Sequence, residues 1–157
     1  MPPARTALLV DLEADFAAEF EPHLARLGVG QVERATEADA LSRASRLRPR
    51  VVLLAGGADP ACRRALCRRL RQRTLAPIVV VVDVNGDDAL AFAREPAVDA
   101  CLVRAVGVAA LAGQLPALLA RQPESRRGRI CELGREMVDT LRRYRLQRSA
   151  PPVRLVS

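Results

Sequence analysis

An open α/β sheet places its chemistry at the carboxyl ends of the strands, so the side chains that follow apolar runs are weighed first. Asp11 closes the run Thr6–Val10, with Glu13 two residues further on. The run Val51–Leu54 ends differently, in the inert methyl of Ala55, followed by Gly56-Gly57. Two acids with no third carboxylate opposite make a poor octahedral site for a divalent ion. Asp59 lies four residues beyond Ala55, more than about 10 Å along an extended chain, and Asp59-Pro60 reads as a helix cap with its first-turn proline. All 25 basic residues are arginine, which excludes a Schiff-base lysine and a P-loop lysine. The single histidine, His23, falls within a helical pattern with no serine or cysteine partner to make a triad. Gly28-Val29-Gly30 ends a helix instead of following a strand, so it is no dinucleotide fingerprint, and G-x-S-x-G does not occur.

Cys62, Cys67, Cys101 and Cys131 contain no C-x-x-C pair, which argues against a zinc site and for small hydrophobes in a reducing cytoplasm. No cofactor and no metal is expected. The chain opens Met-Pro-Pro-Ala-Arg, without the apolar region of a signal peptide. The longest uncharged apolar run, Leu75–Val82, is far short of the ~20 residues of a membrane helix. A cytoplasmic protein with no membrane partner is the expectation.

The elements that must position these residues follow from periodicity. Val51–Ala55 has no polar alternation, the mark of a strand buried on both faces in a helix-covered parallel sheet. Thr6–Val10 and the β-branched Ile78–Val82 read alike, Ala100–Val103 is a shorter strand and Gln31–Ala35 a weaker one. Between them, helices are predicted over 15–27 (Phe16, Phe20, Leu24 and Leu27 inward, Pro22 interrupting), 37–47, 60–73, 87–94 and 108–121 (interrupted by Pro116). In the third helix Cys62, Leu66 and Leu70 are placed inward, with Arg63, Arg64, Arg68 and Arg71 outward. Five βα units in alternation give an α/β fold, a flavodoxin-like doubly wound sheet of five parallel strands in the order 2-1-3-4-5.

Half of the residues are hydrophobic but only 3% aromatic, so the core is aliphatic. The net charge of +7 is uneven. Residues 1–121 hold 16 arginines against 14 acids, and residues 122–157 hold nine against four. The division expected is one domain over 1–121 and a basic extension over 122–157. That extension has one amphipathic helix at about 128–147 (Ile130, Leu133, Met137, Val138, Leu141 and Tyr144 on one side) and a frayed end.

Over about residues 5–121 the pattern resembles the receiver domain of bacterial response regulators. The resemblance is carried by Leu8-Leu9-Val10-Asp11, the third strand after Arg48-Pro49-Arg50, Pro77-Ile78-Val79, and Val98-Asp99-Ala100-Cys101-Leu102-Val103-Arg104. Receivers phosphorylate an aspartate that ends the third strand, hold Mg²⁺ with it and two acids after the first, and use a hydroxyl and a lysine at the ends of the fourth and fifth. The resemblance puts these roles on Asp11, Leu12, Ala55, Val82 and Arg104, of which Asp11 alone keeps its chemistry and Arg104 its charge. It therefore implies a degenerate pseudo-receiver: not an enzyme, acting through protein–protein interaction independently of phosphorylation. Asp11 is left either to accept loop N–H groups or to pair with Arg104.

The resemblance puts the partner surface on the fourth helix, fifth strand and fifth helix, with the tail helix serving dimerisation or partner capture. Two other readings stay open. One is a nucleic-acid-associated regulator contacting phosphates through Arg63, Arg64, Arg68 and Arg71 with Arg126, Arg127, Arg129, Arg142, Arg143 and Arg145 of the tail. The other is a response regulator still phosphorylated at a non-standard aspartate, Asp59 or Asp11.

Overall fold

The apolar runs pair as their patterning requires. The computed structural model describes residues 5–83 and 86–120. Five strands, β1 (Thr6–Val10), β2 (Gln31–Ala35), β3 (Val51–Ala55), β4 (Ile78–Val82) and β5 (Ala100–Val103), alternate with five helices. The helices are α1 (Ala14–Arg26), α2 (Ala40–Leu47), α3 (Pro60–Arg71), α4 (Gly86–Ala93) and α5 (Val108–Leu119). The sheet is wholly parallel in the order β2-β1-β3-β4-β5. This is the flavodoxin-like order, with the most apolar strands at the centre.

Alternate residues of the central strands feed two cores. Val52 and Leu54 of β3 join Leu8, Val10, Ile78 and Val80 beneath α2, α3 and α4, together with Phe92. Val51 and Leu53 join Ala7, Leu9, Val79 and Val81 beneath α1 and α5, against Phe16, Phe20, Leu24, Leu111 and Leu115. Each such leucine removed from water contributes roughly 2 kcal/mol. β2 stands at the sheet edge without a buried residue, which is why its sequence, QVERA, carries the weakest strand signal.

Two predicted helices start or face differently. The second was expected from residue 37, but Asp39 accepts bonds from the Thr36 N–H (2.7 Å) and Oγ1 (2.9 Å), a local turn that delays α2 to Ala40. In α3, the Asp59 carboxylate caps the helix, accepting from the Ala61 and Cys62 N–H groups at 3.0 and 3.3 Å. Its buried face is Arg63, Leu66, Cys67 and Leu70, while Cys62, expected inward, is exposed.

The outward reading of the α3 arginines is therefore corrected for Arg63 and Arg71, while Arg68 does face solvent. Arg63 is only 8% exposed. The side chain of Arg71 is bound to the Asp99 carboxylate and to the Ala76 and Ala97 carbonyls. Arg68 faces solvent but donates to both oxygens of Glu95, whose carboxylate is buried. Arg64 is half-buried. Among the described residues no helix is long and apolar enough to cross a membrane. The amphipathic helix expected at about 128–147, with Arg142, Arg143 and Arg145, lies outside the described residues.

Candidate functional site

The carboxyl edge of the sheet opens into a cavity of about 410 Å³. Leu12, Phe16, Ala55, Val81, Val82 and Phe92 form its apolar lining, with Asp11, Glu13, Asp83, Asp88 and Arg104 around them. Its floor is closely fitted. A Cβ on Gly56 would come 3.0 Å from Val82 Cγ1, so the loop after β3 packs its bare backbone on β4. Gly57 has φ +71°, a conformation that favours glycine, and the Arg63 guanidinium lies 2.9 Å from where its Cβ would sit.

The five positions singled out by sequence come together here, with altered chemistry. Ala55 ends β3 beside Asp11, one step beyond the paired residues Val10 and Leu54. Leu12, where a second acid would be needed, is part of the core beneath α1 and α5. Val82 is buried in the opposite core. Neither offers a polar atom to the cavity.

Asp11 has φ +52° and its N–H donates to the Ala35 carbonyl at 3.0 Å, turning the chain at the end of β1. Its carboxylate accepts from Arg63 Nη1 at 3.1 Å, not from Arg104. Arg104, at the start of the short 3₁₀ turn Arg104–Val106, donates instead to Glu13 Oε2 at 2.8 Å. That hydrogen bond and charge hold the Glu13 carboxyl below its ordinary range and raise the Arg104 guanidinium above its own. Of the two roles that the sequence leaves open for Asp11, the pair with Arg104 is not formed. The positive φ at Asp11 turns its side chain toward α3, and the longer Glu13 side chain reaches Arg104.

Sequence reasoning also missed the ion pairs of Arg63, Glu95 and Asp99. Arg63 lies three, four and seven residues before Leu66, Cys67 and Leu70, so helical spacing alone puts it on their face. Glu95 and Asp99 sit in the otherwise apolar stretch 95–103, a signal that a buried acid needs a cation.

Mg²⁺, which the resemblance to receivers would bring to this edge, does not fit these residues. Asp11 is held by a guanidinium, Leu12 and Ala55 bring hydrocarbon, and among the described residues no three His, Cys, Asp or Glu side chains gather as metal ligands. Asp59, which caps α3 with one oxygen and accepts from Cys62 Sγ at 3.1 Å with the other, is committed to that turn.

No family model and no curated protein matches the chain. Solved structures do. A two-component response regulator from Clostridium difficile is 17% identical, with a TM-score of 0.59 over 74% of this chain and 97% of that one. A CheY-like response regulator receiver domain from Methylobacillus flagellatus is 22% identical, with a TM-score of 0.58 over 73% and 98%. A response regulator from Hahella chejuensis is 20% identical, with a TM-score of 0.57 over 74% and 92%. At these identities the likeness is one of fold: this chain has the fold of the CheY-like receiver domains.

Proposed function

We propose that this protein is a pseudo-receiver, a bacterial signalling module that keeps the receiver fold, does no phosphotransfer and acts by binding another protein. The observation that carries the reading is Ala55, a methyl group at the strand end where a receiver presents its acceptor carboxylate. Core packing at Leu12 and Val82 agrees with it, since neither position can take part in phosphoryl chemistry. The partner surface of this reading is α4, β5 and α5, where Val106, 48% exposed, supplies an apolar contact between β5 and α5. Residues 122–157 assist capture or dimerisation.

Incubation with acetyl phosphate and Mg²⁺ followed by intact-mass measurement tests the first half. The mass stays unchanged; a stable added phosphate on any aspartate, Asp59 and Asp11 included, overturns it. Affinity capture from the native host, with and without residues 122–157, tests the second half.

A nucleic-acid-associated regulator remains the second reading, favoured by the excess of nine arginines over four acids in residues 122–157. In the folded domain Arg63 and Arg71 are engaged internally, so this reading now rests on the tail. Binding to DNA or RNA that weakens steeply with salt would establish it.

A further inference from the structure

We propose that the Arg63 guanidinium is a built-in cation of the sheet's carboxyl edge: it neutralises Asp11, lies beside the exposed Glu37 and keeps divalent ions out. The inference concerns which cation serves this edge, and it stands or falls separately from the identity of any protein partner.

A guanidinium cannot lose its charge, so one that is buried must be paired. The Arg63 side chain is 9% exposed, and its carboxylate contacts are Asp11 Oδ2 at 3.1 Å and Glu37 Oε2 at 3.8 Å. Asp11 belongs to the turn after β1, Glu37 to the segment after β2, and Arg63 to α3, which follows β3. One side chain thus ties together the segments that leave three neighbouring strands. The helix presents it by ordinary geometry: Arg63 shares the buried face of Leu66, Cys67 and Leu70, and the Asp59 cap fixes where that face begins. The loop is shaped to receive it. Gly57 adopts φ +71°, and without a Cβ its backbone lets Nε and Nη2 lie 2.9 Å from the Cβ position.

The charge balance explains why a metal is neither needed nor accepted. With Ala55 neutral, a single positive group suffices for the Asp11 carboxylate. A second, divalent charge brought to Asp11 would meet the guanidinium already bound there. Restoring the absent carboxylate alone should therefore not restore metal binding, because Arg63 would still hold the edge.

The test uses the full chain in four forms, the native sequence, Ala55→Asp, Arg63→Met and the double variant, titrated with Mn²⁺ and read by the EPR signal of free Mn²⁺. The native chain and Ala55→Asp are expected to bind weakly or not at all, and the double variant at least tenfold more tightly than Ala55→Asp. Equal affinity of Ala55→Asp and the double variant overturns the proposal. So does Mn²⁺ bound by the native chain with broadening of the Asp11 and Gly57 amide resonances. Should Arg63→Met fail to fold, Arg63→Gln in the Ala55→Asp background replaces it under the same criteria. Arg63→Lys in that background keeps the charge and is expected to exclude Mn²⁺ as arginine does. If this lysine variant binds Mn²⁺ as tightly as the Met or Gln variant, charge is not what guards the site.

Discussion

Arg104 reaches from the end of β5 across the mouth of the cavity to Glu13, behind β1, with 2.8 Å between Nη2 and Oε2. Its guanidinium carbon lies 5.1 Å from the centre of the Phe16 ring. β3 and β4 stand between β1 and β5 in the sheet, so this contact joins two parts of the edge that no backbone ladder connects. Together with Arg63 on Asp11, it accounts for two of the acids at this edge by arginines from different elements. The edge is closed by side chains, consistent with a surface held in one state.

Replacing Arg104 by alanine is expected to lower Tm modestly, since the pair is largely solvated and the cation–π part is worth about 0.5–1 kcal/mol. The ionic part has a definite pH dependence. The folded Glu13 carboxyl titrates below its ordinary value of 4.5, so its contribution is complete above that value and fades as the pH falls through the lowered one. Thermal melts of Arg104→Ala and the native chain should differ most at neutral pH, and by less in acid. A gap that widens in acid would contradict the pairing.

The contact between Arg71 and Asp99 is a different matter, because its carboxylate is buried. The Asp99 side chain, 3% exposed, accepts from Arg71 and also from the Ile78 N–H, the latter at 2.7 Å, fixing the start of β4 against the start of β5. Asp99→Ala leaves the Ile78 N–H without its acceptor and takes the carboxylate from Arg71, which keeps only the Ala76 and Ala97 carbonyls. Removing one partner of a buried pair costs about 3–5 kcal/mol, so the midpoint of urea unfolding should fall strongly. Loss of less than about 1 kcal/mol would mean that the donors find water.

Leu53 and Leu54 are neighbours in sequence but belong to opposite cores, and both are fully buried. Substituting either by alanine should cost about 2–5 kcal/mol, and the two costs should be similar. In a strand with one wet face, one of the pair would be nearly silent. Urea unfolding of Leu53→Ala and Leu54→Ala distinguishes the cases.

This two-sided burial is why the sheet was legible in the sequence. Four of the strands, β1, β3, β4 and β5, fall where the apolar runs put them, because continuous hydrophobicity has few other solutions in a chain this short; β2, exposed at the edge, falls where its weaker pattern was read. Ala55 and Val82 were placed correctly too, as the last residues of β3 and β4. Contacts between side chains were not. Glu13, rather than Asp11, took Arg104 because the backbone reverses through φ +52° at Asp11, a torsion no pattern announces. Arg63 was read as solvated because arginine usually is; helical spacing placed it inward, but only the acid from β1 and the bare Gly57 backbone make that burial tolerable. Cys62 was misplaced for the complementary reason: the buried face runs through Arg63, Leu66, Cys67 and Leu70, which leaves Cys62 outside, beside the capping Asp59.

The cysteines give the last prediction. Cys62 is exposed, but its bond to the Asp59 carboxylate, and the charge of that carboxylate, raise its pKa above 9.0 and so slow its reaction with thiol reagents. Burial pushes Cys67 and Cys101 up to about 12. In a Cys131→Ser background, one thiol should therefore react with maleimide in the native state, and two more only on unfolding. Asp59→Asn keeps a competent cap while removing the negative charge, so Cys62 should label faster with α3 intact by circular dichroism. The buried pair has a consequence of the opposite kind. Their folded pKa values lie above the unfolded ones, so the stability they contribute is whole below pH 9 and is lost as the pH rises toward 12. Between those limits Cys67→Ala should lose stability less steeply with pH than the native chain. Parallel curves would show that the Cys67 thiol ionises as readily in the folded chain as in the unfolded one.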